Sequence, residues 1–468
     1  MLRSLRLAAA IIALAMCPIA ASAQKPVYVV LWFDTEDYIE PAADDAALRI
    51  ATDLTDLGVR ATFKIVGEKA RTLESRGRVD VIRALSKHSI GYHSNYHSIQ
   101  PAPAVYLRTM GFREGAAEFK RREGSGVADL RRIFGVTPIC YGQPGSSWGP
   151  QSNRALRELG IPVYLDEGSQ VGLSNQPAWY GGLLYIFNFG QYQIRPDLDH
   201  EEANAAIFQH FDAAVSELAK GEGGVISTYF HPTEFVTTEF WDAANFSHGA
   251  VRERTEWVRP RGRTSQDSER CYQVLRKYVE HANQVPGVRF VTAQDLLQLY
   301  SPVTSPPPEP AAIARHLVKG LTYLRDGSGS YSPADMLLAL LGLQPRVVDG
   351  PERRGVTTYT ARTIPAPLFE RAKKDVADFI HTNGQLPSEV FLGAQTLSLE
   401  DFAVTLAGTV AEPGPVTVRT GRLEVQPYIS NEPAKSFAWT IHPEGFSAPE
   451  LLELARLQAW TLKPAQLR

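Results

Sequence analysis

Two histidines four residues apart, and a group of carboxylates upstream of them, are the residues in this chain best suited to bind a metal ion. His93 and His97 belong to the pentapeptide His-Ser-Asn-Tyr-His, and on a helical turn two such imidazoles share one face. The upstream cluster, Asp34-Thr-Glu-Asp37, directly follows an apolar run that is typical of a buried strand. Two histidines, one carboxylate ligand and a spare carboxylate are the groups needed for hydrolysis by a water that a metal activates.

Further polar positions follow the predicted strands along the chain. Between Gln24 and about Tyr300, short apolar strands alternate with amphipathic helices, which predicts an α/β fold with a parallel sheet, open or closed into a barrel. In both arrangements functional groups gather at the carboxyl ends of strands. Five candidate polar or turn positions lie just past the ends of predicted strands: Asp34, His93, Pro144, Asp166 and His231. A single His-x-x-x-His spacing also arises by chance, and acids that follow strands often cap helices instead. The shared position of all five residues on one rim of the sheet is therefore what favours a catalytic site.

The bulk properties predict an exported protein that does not bind nucleic acid. Residues 1–23 combine a basic start, a short apolar stretch and a small-residue cleavage pattern, which predicts a signal peptide and a periplasmic or secreted protein. A net charge of −3 without a basic block argues against a nucleic-acid partner. After the leader, no apolar stretch is long enough for a transmembrane helix, and Cys140 and Cys271 are either bonded or free. The oligomeric state is left open.

The length of the mature chain, and a change of character near residue 300, predict two domains. Residues 24–300 are the α/β domain, 301–310 a Pro-rich linker, and 311–468 a smaller, mainly helical domain. Asp375–Ala407 loosely resembles a pseudomurein-binding wall repeat, so wall binding and structural packing both stay open for the last domain. Three helix starts in this domain share the pattern of a capping box: Ser332, Ser398 and Ser447.

Seven motifs occur in order through the first domain. They are Leu31-Trp-Phe-Asp-Thr-Glu-Asp37, Ala61-Thr-Phe-Lys-Ile-Val-Gly67, His88-Ser-Ile-Gly-Tyr-His-Ser-Asn-Tyr-His97, Tyr141-Gly-Gln-Pro-Gly145, Ala155-Leu-Arg-Glu-Leu-Gly160 before Tyr164-Leu-Asp166, Tyr229-Phe-His-Pro232 and Val288-Arg-Phe-Val-Thr292. In this order they resemble the polysaccharide deacetylases of the NodB-homology type, carbohydrate esterase family 4. The resemblance implies a distorted (β/α) barrel and a divalent cofactor, zinc first, with cobalt or nickel as alternatives.

The resemblance also implies roles for single residues. His93 and His97 match the metal ligands, and Asp34 matches the general base. His231 matches the general acid, which a poor leaving group such as an amine requires. Asp166 is expected to orient His231, as an acid in the family's fourth motif does.

Four more residues are candidates for contact with the substrate or the oxyanion. The backbone N–H of Gly145, beside Gln143, is expected to stabilise the oxyanion of the tetrahedral intermediate. Tyr96 and Trp148 are candidates for stacking on a sugar ring, with packing in the core as the alternative.

The first motif departs from the family pattern of two adjacent aspartates. Its acids are Asp34, Glu36 and Asp37. Asp37 is narrowly favoured as the metal carboxylate because aspartate is the commoner ligand type there. Glu36 is the alternative, because strand alternation places it on the same side as Asp34.

The third motif lacks the family's arginine, which pairs with the base. Gly142 or Gln143 stands in its place, which predicts a base without its cation. In addition, residues 233–263 form a long polar and aromatic insertion after His231, expected on the rim of the substrate cleft.

Together these features predict a metal-dependent hydrolase that removes N-acetyl groups from amino sugars of a polysaccharide or of peptidoglycan. One alternative is a hydrolase of another C–N amide or of an ester, because a fold does not determine its substrate. A second alternative is a non-catalytic glycan-binding protein with a decayed site. Retention of Asp34, both histidines and His231 argues against decay.

Overall fold

The computed structural model describes residues 25–301, 307–327 and 329–468. The predicted signal peptide, residues 1–23, and the centre of the predicted linker, residues 302–306, lie outside the described residues. Within the described part of the chain, no helix combines the length and the apolar character that crossing a membrane requires.

A ten-stranded sheet forms the centre of the fold. Its first nine strands are β1 (Val27–Thr35), β2 (Thr62–Ile65), β3 (Ser89–Tyr92), β4 (Cys140–Tyr141), β5 (Val163–Leu165), β6 (Ala178–Tyr180), β7 (Leu183–Ile186), β8 (Gly224–Phe230) and β9 (Val288–Val291). They run in the order β6-β7-β5-β4-β3-β2-β1-β8, with β9 also paired to β1. Apart from β6, which is antiparallel to β7, all these neighbours are parallel. All nine residues of β1 are buried, as expected for a central strand covered on both faces.

The sheet curls until its two edges approach each other. After β7 the chain reaches the outer edge of β8, where the Ile194 N–H donates to the Ser227 carbonyl at 3.0 Å. Gln193 and Ser227 form a parallel bridge there. The predicted α/β class and distorted (β/α) barrel are therefore confirmed.

Ten helices accompany these strands. They are α1 (Ala42–Asp56), α2 (Gly67–Ser75), α3 (Val79–Leu85), α4 (Pro103–Leu107), α5 (Phe112–Phe134), α6 (Gln151–Leu159), α7 (Asn204–Lys220), α8 (Trp241–Phe246), α9 (Ser265–Gln284) and α10 (Ala293–Leu299). The longer ones bury an apolar stripe against the sheet; in α1 it includes Ala46, Ala47, Ile50 and Leu54. They hold the strands in register, so that the strand ends form one rim.

The chain then builds a second, separate hydrophobic core from residues between 313 and 416, which Trp460 from the end of the chain joins. Its elements are α11 (Pro310–Leu317), β10 (Leu324–Asp326), β11 (Gly329–Tyr331), α12 (Pro333–Leu340), β12 (Thr363–Ile364), α13 (Ala366–Asn383), β13 (Glu389–Leu392), β14 (Gln395–Ser398), α14 (Leu399–Ala411) and β15 (Val416–Thr417). The six strands pair as three short antiparallel ribbons.

The last part of the chain returns to the first core. It contains α15 (Pro433–Ser436), α16 (Pro449–Gln458) and β16 (Lys463–Pro464), and β16 pairs antiparallel with β6. Nine of its buried side chains belong to the first core: Val425, Ile429, Phe437, Ala448, Leu451, Leu452, Ala455, Ala459 and Leu462. The described cores therefore divide the chain differently from the predicted boundary, because 311–468 contributes to both.

Two of the three predicted helix caps are present. Ser332 Oγ accepts from the Asp335 N–H, and Ser398 Oγ accepts from the Asp401 N–H, both at 3.1 Å. The predicted cap at Ser447 is wrong, because the N-cap of α16 is the next residue, which makes no side-chain cap. Cys140 and Cys271 are buried free thiols.

Candidate active site

A cleft of about 510 Å³ opens at the carboxyl ends of the parallel strands. Five strands contribute a side chain to it from their carboxyl ends, namely Asp34 (β1), His93 (β3), Gln143 (β4), Asp166 (β5) and His231 (β8). Parallel strands end on the same side of a sheet, so residues far apart in sequence meet there.

A carboxylate and two imidazoles converge on one point in this cleft. Glu36 Oε2 lies 3.1 Å from His93 Nε2 and 2.9 Å from His97 Nε2, and all three residues are buried. On the far side of each ring, His93 Nδ1 lies 3.1 Å from the Gly142 carbonyl and His97 Nδ1 lies 2.6 Å from Ser98 Oγ. If Nδ1–H donates in both contacts, both Nε2 atoms keep a lone pair for a metal.

The electrostatics of these three residues suit a divalent cation. Burial favours the neutral form of Glu36, but the positive charge of a protonated His97 and the hydrogen bonds with both histidines outweigh it and hold the pKa of Glu36 well below the usual value. Burial lowers the pKa of His97, but Glu36 raises it more, so the carboxylate stabilises positive charge at this point of the cleft. Burial lowers the pKa of His93, which keeps it neutral. Trp241 Nε1 donates to Glu36 Oε1 at 2.9 Å and fixes the carboxylate. One carboxylate and two imidazoles form a site that could hold a zinc-type ion.

Asp37, narrowly favoured above as the metal carboxylate, does not point to the histidines. Its Oδ1 accepts from the Ile39 and Glu40 N–H groups, both at 2.9 Å, and its Oδ2 accepts from Thr233 Oγ1 at 2.8 Å. Asp37 thus caps the turn that leads into α1. The structure places Glu36 in the cluster instead, because β1 stays extended through Thr35 and alternation puts Glu36 on the side of Asp34.

The expected helical turn around the two histidines is wrong. Residues 93–100 form a loop in which Ser94 and His97 have φ values of 64° and 60°. Ser94 Oγ accepts from the His97 N–H at 3.0 Å, which closes the loop. The start of α2 also fixes this loop, because the Gly67 and Glu68 N–H groups donate to the carbonyls of residues 94 and 95, both at 2.9 Å.

Asp34, the candidate base, has a cation beside it although the third motif lacks its arginine. Lys64 at the end of β2 is fully buried, and its Nζ lies 2.9 Å from Asp34 Oδ1 and 2.7 Å from Asp166 Oδ2. Burial lowers the pKa of this lysine, but Asp166 and Asp34 raise it more, so the ammonium stays charged. The expected base without a cation is therefore wrong. A Cβ on Gly142 would lie 2.1 Å from both Lys64 Nζ and Asp166 Oδ2, so the glycine leaves the space that this pair fills.

His231, the candidate acid, is oriented by Glu234 and not by Asp166. Its Nδ1 lies 3.1 Å from Glu234 Oε2, and its Nε2 lies 3.7 Å from Asp34 Oδ2. Burial lowers the pKa of His231, but the charge of Glu234 and its hydrogen bond raise it to about 9. Arg195 in turn pairs with Glu234, whose pKa is held at about 2 against the effect of burial. Asp166 instead contacts Lys64, so the orienting role predicted for it has no counterpart in these contacts.

Gly145 and Gln143 line the cleft as expected, but Tyr96 and Trp148 do not. Trp148 is fully buried and stacks on Tyr180, which agrees with the alternative of core packing. Tyr96 is 41% exposed, and its ring lies 5.0 Å from the Arg71 guanidinium, outside the cleft. The oxyanion role of Gly145 stays a prediction.

The insertion after His231 packs against the cluster, as expected for a rim element. Trp241 lies in a small separate core with Phe246 and with Ile441 from the end of the chain. Asp242 lines the cleft. From the end of the chain, Trp439 also lines the cleft, and the sequence analysis had not singled it out.

Three residues of the site were not predicted from the sequence, and only two of them have a local sequence signal. Lys64 is a charged residue inside an apolar strand, and Glu234 lies three residues after His231, where a capping box expects an acid. Both signals were local. Trp439 is about 200 residues from the acid in sequence, and no local pattern marks it.

No known family model matches this chain. One curated protein, a shikimate kinase from Thiobacillus denitrificans, is 30% identical over 94 residues, 20% of this chain. The chain covers 50% of the length of that relative.

Several solved structures are similar to the chain at low identity. A protein described as a polysaccharide deacetylase from Mycobacterium smegmatis is 16% identical, with 62% of this chain and 98% of that one covered and a TM-score of 0.38. The peptidoglycan deacetylase PdaC from Bacillus subtilis is 13% identical, with 58% and 91% covered and a TM-score of 0.30. The Puue allantoinase is 13% identical, with 59% and 91% covered and a TM-score of 0.38. At these scores they assign no chemistry to the cleft.

Proposed function

We propose that this protein is a metal-dependent hydrolase that removes N-acetyl groups from amino sugars of a polysaccharide or of peptidoglycan. The observation that carries the proposal is the convergence of three functions in one cleft. A buried cluster of Glu36, His93 and His97 could hold a metal, and Asp34 and His231 stand beside it as a base and an acid.

The acid and the base fit the hydrolysis of an amide. Asp34 accepts a proton from the attacking water as the water oxygen bonds to the carbonyl carbon. The C–N bond then breaks, and His231 donates its proton to the nitrogen, so that acetate and an amine leave. With a pKa of about 9, His231 carries this proton at neutral pH.

The two groups have neighbours of opposite charge. Lys64 contacts Asp34, while Glu234 contacts His231 and favours its protonated form. His231 Nε2 lies 3.7 Å from Asp34 Oδ2, so the candidate acid and the candidate base face each other beside the candidate metal site. This arrangement supports a hydrolytic role for the cleft.

The cluster of Glu36, His93 and His97 is where the cofactor would be held. Zinc is our first choice, because one carboxylate and two neutral imidazoles are its usual donors, with cobalt or nickel as substitutes. A divalent ion bound there would polarise the acetyl carbonyl and make a nearby water more acidic.

The proposal is tested by acetate release from a panel of N-acetylated glycans and peptidoglycan. Purified protein is stripped of metal, then refilled with zinc, cobalt or nickel, and compared with the double variant His93→Ala/His97→Ala. We expect metal-dependent acetate from at least one glycan and none from the variant. Stoichiometric metal binding with no acetate from any glycan would contradict the N-deacetylase proposal and favour hydrolysis of another amide or an ester.

We also propose that the protein is exported, on the strength of its leader alone. Expression of the full chain in a bacterial host, followed by mass spectrometry of the mature N-terminus, tests this. Processing near Gln24 with recovery outside the cytoplasm is expected. An intact N-terminus in the cytoplasmic fraction would refute it.

A further inference from the structure

The chain from residue 429 to 443, here called the C-terminal strap, runs along the cleft and lines it with Lys435, Ser436, Ala438 and Trp439. At one end the Ser430 N–H donates to the Gln170 carbonyl at 3.0 Å. Towards the other end, the Thr440 carbonyl accepts from the His248 N–H at 2.8 Å. Gln100 Nε2 donates to the Ile441 carbonyl at 2.7 Å. The strap therefore joins the loop after β5 to the insertion after His231, and it forms one wall of the cleft.

Trp439 projects from this strap next to the candidate oxyanion position. Its N–H donates to Ser146 Oγ at 2.9 Å, and its indole Nε1 donates to Asp242 Oδ2 at 2.7 Å. A Cβ built on Gly145 would lie 2.1 Å from Cδ1 of the indole ring, so the ring rests directly on the glycine. The indole is thus fixed at its backbone and at its ring nitrogen.

The indole is also linked to the candidate acid through one aromatic ring. Phe240 packs edge-on against both rings, with centroid distances of 5.7 Å to Trp439 and 4.8 Å to His231. Trp439 nevertheless remains 37% exposed, and its exposed part lines the cleft. A large, immobilised and partly exposed aromatic ring inside a cleft is typical of a ligand contact, because burying it would be favourable and it has little freedom to lose.

Several polar side chains that line the cleft can form hydrogen bonds with the hydroxyl groups of a sugar. Asn188, Gln193 and Ser169 offer amide and hydroxyl groups that can donate and accept hydrogen bonds. A pyranose ring has hydroxyls around its edge and an apolar face of C–H groups. A cleft lined by an indole and by amide and hydroxyl groups offers both kinds of contact to such a ring.

We propose that Trp439 is the platform on which the sugar ring that carries the acetamido group rests, so that the C-terminal strap determines the preference for a glycan. This inference rests on the proposed function and names the substrate feature that the cleft selects, a pyranose face beside the acetyl group. It replaces Tyr96 and Trp148 as the sugar-stacking candidates, because neither of them lines the cleft.

The test compares Trp439→Ala, Trp439→Leu and Trp439→Phe in the full chain, with Phe391→Ala as a control for loss of an exposed aromatic elsewhere. Calorimetry measures binding of N-acetylglucosamine oligomers, and acetate release gives KM and kcat for the oligomers and for a ring-free N-acetyl amide. Leucine keeps an apolar side chain of moderate size but no flat ring, whereas phenylalanine keeps a ring.

We expect Trp439→Ala and Trp439→Leu to weaken binding of the oligomers and to raise the KM for the oligomers, each by about tenfold. The effect on kcat should be smaller. Trp439→Phe should recover most of the affinity, and kcat/KM should fall more for the oligomer than for the ring-free amide. Unchanged binding in Trp439→Ala would overturn the inference. Equal losses for both substrates would also overturn it, since Trp439 would then only support Gly145.

The same measurements separate this inference from the proposed function. If the unaltered protein binds the oligomers but releases no acetate, and Trp439→Ala abolishes binding, the deacetylase proposal fails and the sugar platform stands. If the unaltered protein releases acetate and Trp439→Ala binds normally, the platform fails and the deacetylase proposal stands.

Discussion

At the scale of single residues, the carboxylates in and beside the cleft have different partners. Glu36 faces two imidazoles, Asp34 shares an ammonium with Asp166, and Glu234 contacts a guanidinium and an imidazole. Burial and the neighbouring Asp34 raise the pKa of Asp166 in spite of its lysine. The site therefore separates its acids by environment, a common way to obtain different roles from chemically similar groups.

A matched pair of variants distinguishes the two candidate metal carboxylates. Glu36→Gln should weaken zinc binding by more than about 100-fold and abolish hydrolysis, because it removes the charged ligand. Asp37→Asn should keep stoichiometric zinc binding and lower stability by about 1–3 kcal/mol, because it weakens a hydrogen-bonded cap. Zinc titration by calorimetry and urea unfolding measure the two effects. The reverse pattern, with zinc lost only in Asp37→Asn, would return the ligand role to Asp37.

Glu234 sets the alkaline limit of activity in our mechanism. Its carboxylate raises the pKa of His231 to about 9, so the acid form persists to about that pH and is lost above it. In Glu234→Gln the charge is gone, and the alkaline limb of kcat should move to lower pH by roughly one unit or more. The pH profile of kcat in both proteins measures this. An unmoved alkaline limb would mean that His231 is not the group that titrates there.

At the scale of elements, the meeting of strand ends determines which side chains can pair. Lys64 at the end of β2 reaches Asp34 on β1 and Asp166 after β5 because Gly142, after β4, has no side chain. The cation that the third motif lacks is thus supplied from a neighbouring strand. Such an exchange depends on strand order, not on spacing along the chain.

This exchange predicts the behaviour of two variants. Lys64→Met leaves Asp34 and Asp166 facing each other without a cation, which should cost about 3–5 kcal/mol of stability and most of the activity. Gly142→Ala should act in the same direction, because its methyl group would displace the ammonium.

Gly124→Ala is the matched control, because the nearest atom to its Cβ is 4.0 Å away. Urea unfolding and kcat/KM measure both effects. The pairing has no functional role if Lys64→Met retains normal kcat/KM. Alkylamines added to Lys64→Ala should restore part of the activity, whereas alcohols of equal size should not.

The sequence predicted the strands well, because their signal is a local run of apolar residues. The apolar run before Asp34 is observed as a strand, but β1 continues beyond this run through Thr35. The two extra residues decide the metal carboxylate, because they keep Glu36 in register with Asp34.

The positions of site residues could be predicted from the sequence only where a residue lies at the end of a strand. Asp34, His93 and His231 follow apolar runs and could be placed on one rim from the sequence. The backbone of the histidine loop could not, because two left-handed residues replace the expected helical turn. Partners from distant segments, such as Lys64 for Asp166, follow from three-dimensional packing and leave no local pattern.

At the scale of the whole molecule, most residues of the second core lie in the sequence between two segments that build the first core. Asp349 forms ion pairs with Arg154 at 3.0 Å and with Arg157 at 2.6 Å, and both arginines belong to α6. These ion pairs connect this intervening part of the chain to the α/β part. Gln458 Oε1 accepts from the Gly350 N–H at 2.7 Å. The chain can then return over the first core and deliver the C-terminal strap to the cleft.

This architecture predicts that the α/β part cannot be isolated by removing everything after residue 310. The removed part supplies Leu451, Leu452 and seven other buried side chains to the first core, together with β16. At about 1.5–3 kcal/mol for each large apolar side chain, the loss approaches the whole stability of about 5–15 kcal/mol that is typical of a protein. A fragment of residues 24–310 should therefore be insoluble or unfolded and inactive.

Leu452→Ala in the full chain is the graded control for that truncation. Its buried side chain should cost about 2–5 kcal/mol while leaving the fold and the cleft in place. Circular dichroism and thermal unfolding of the fragment, the variant and the full chain measure the difference. A fragment that unfolds cooperatively and still binds one zinc ion would show that the first core is self-sufficient. The last residues would then serve only the substrate and not the fold.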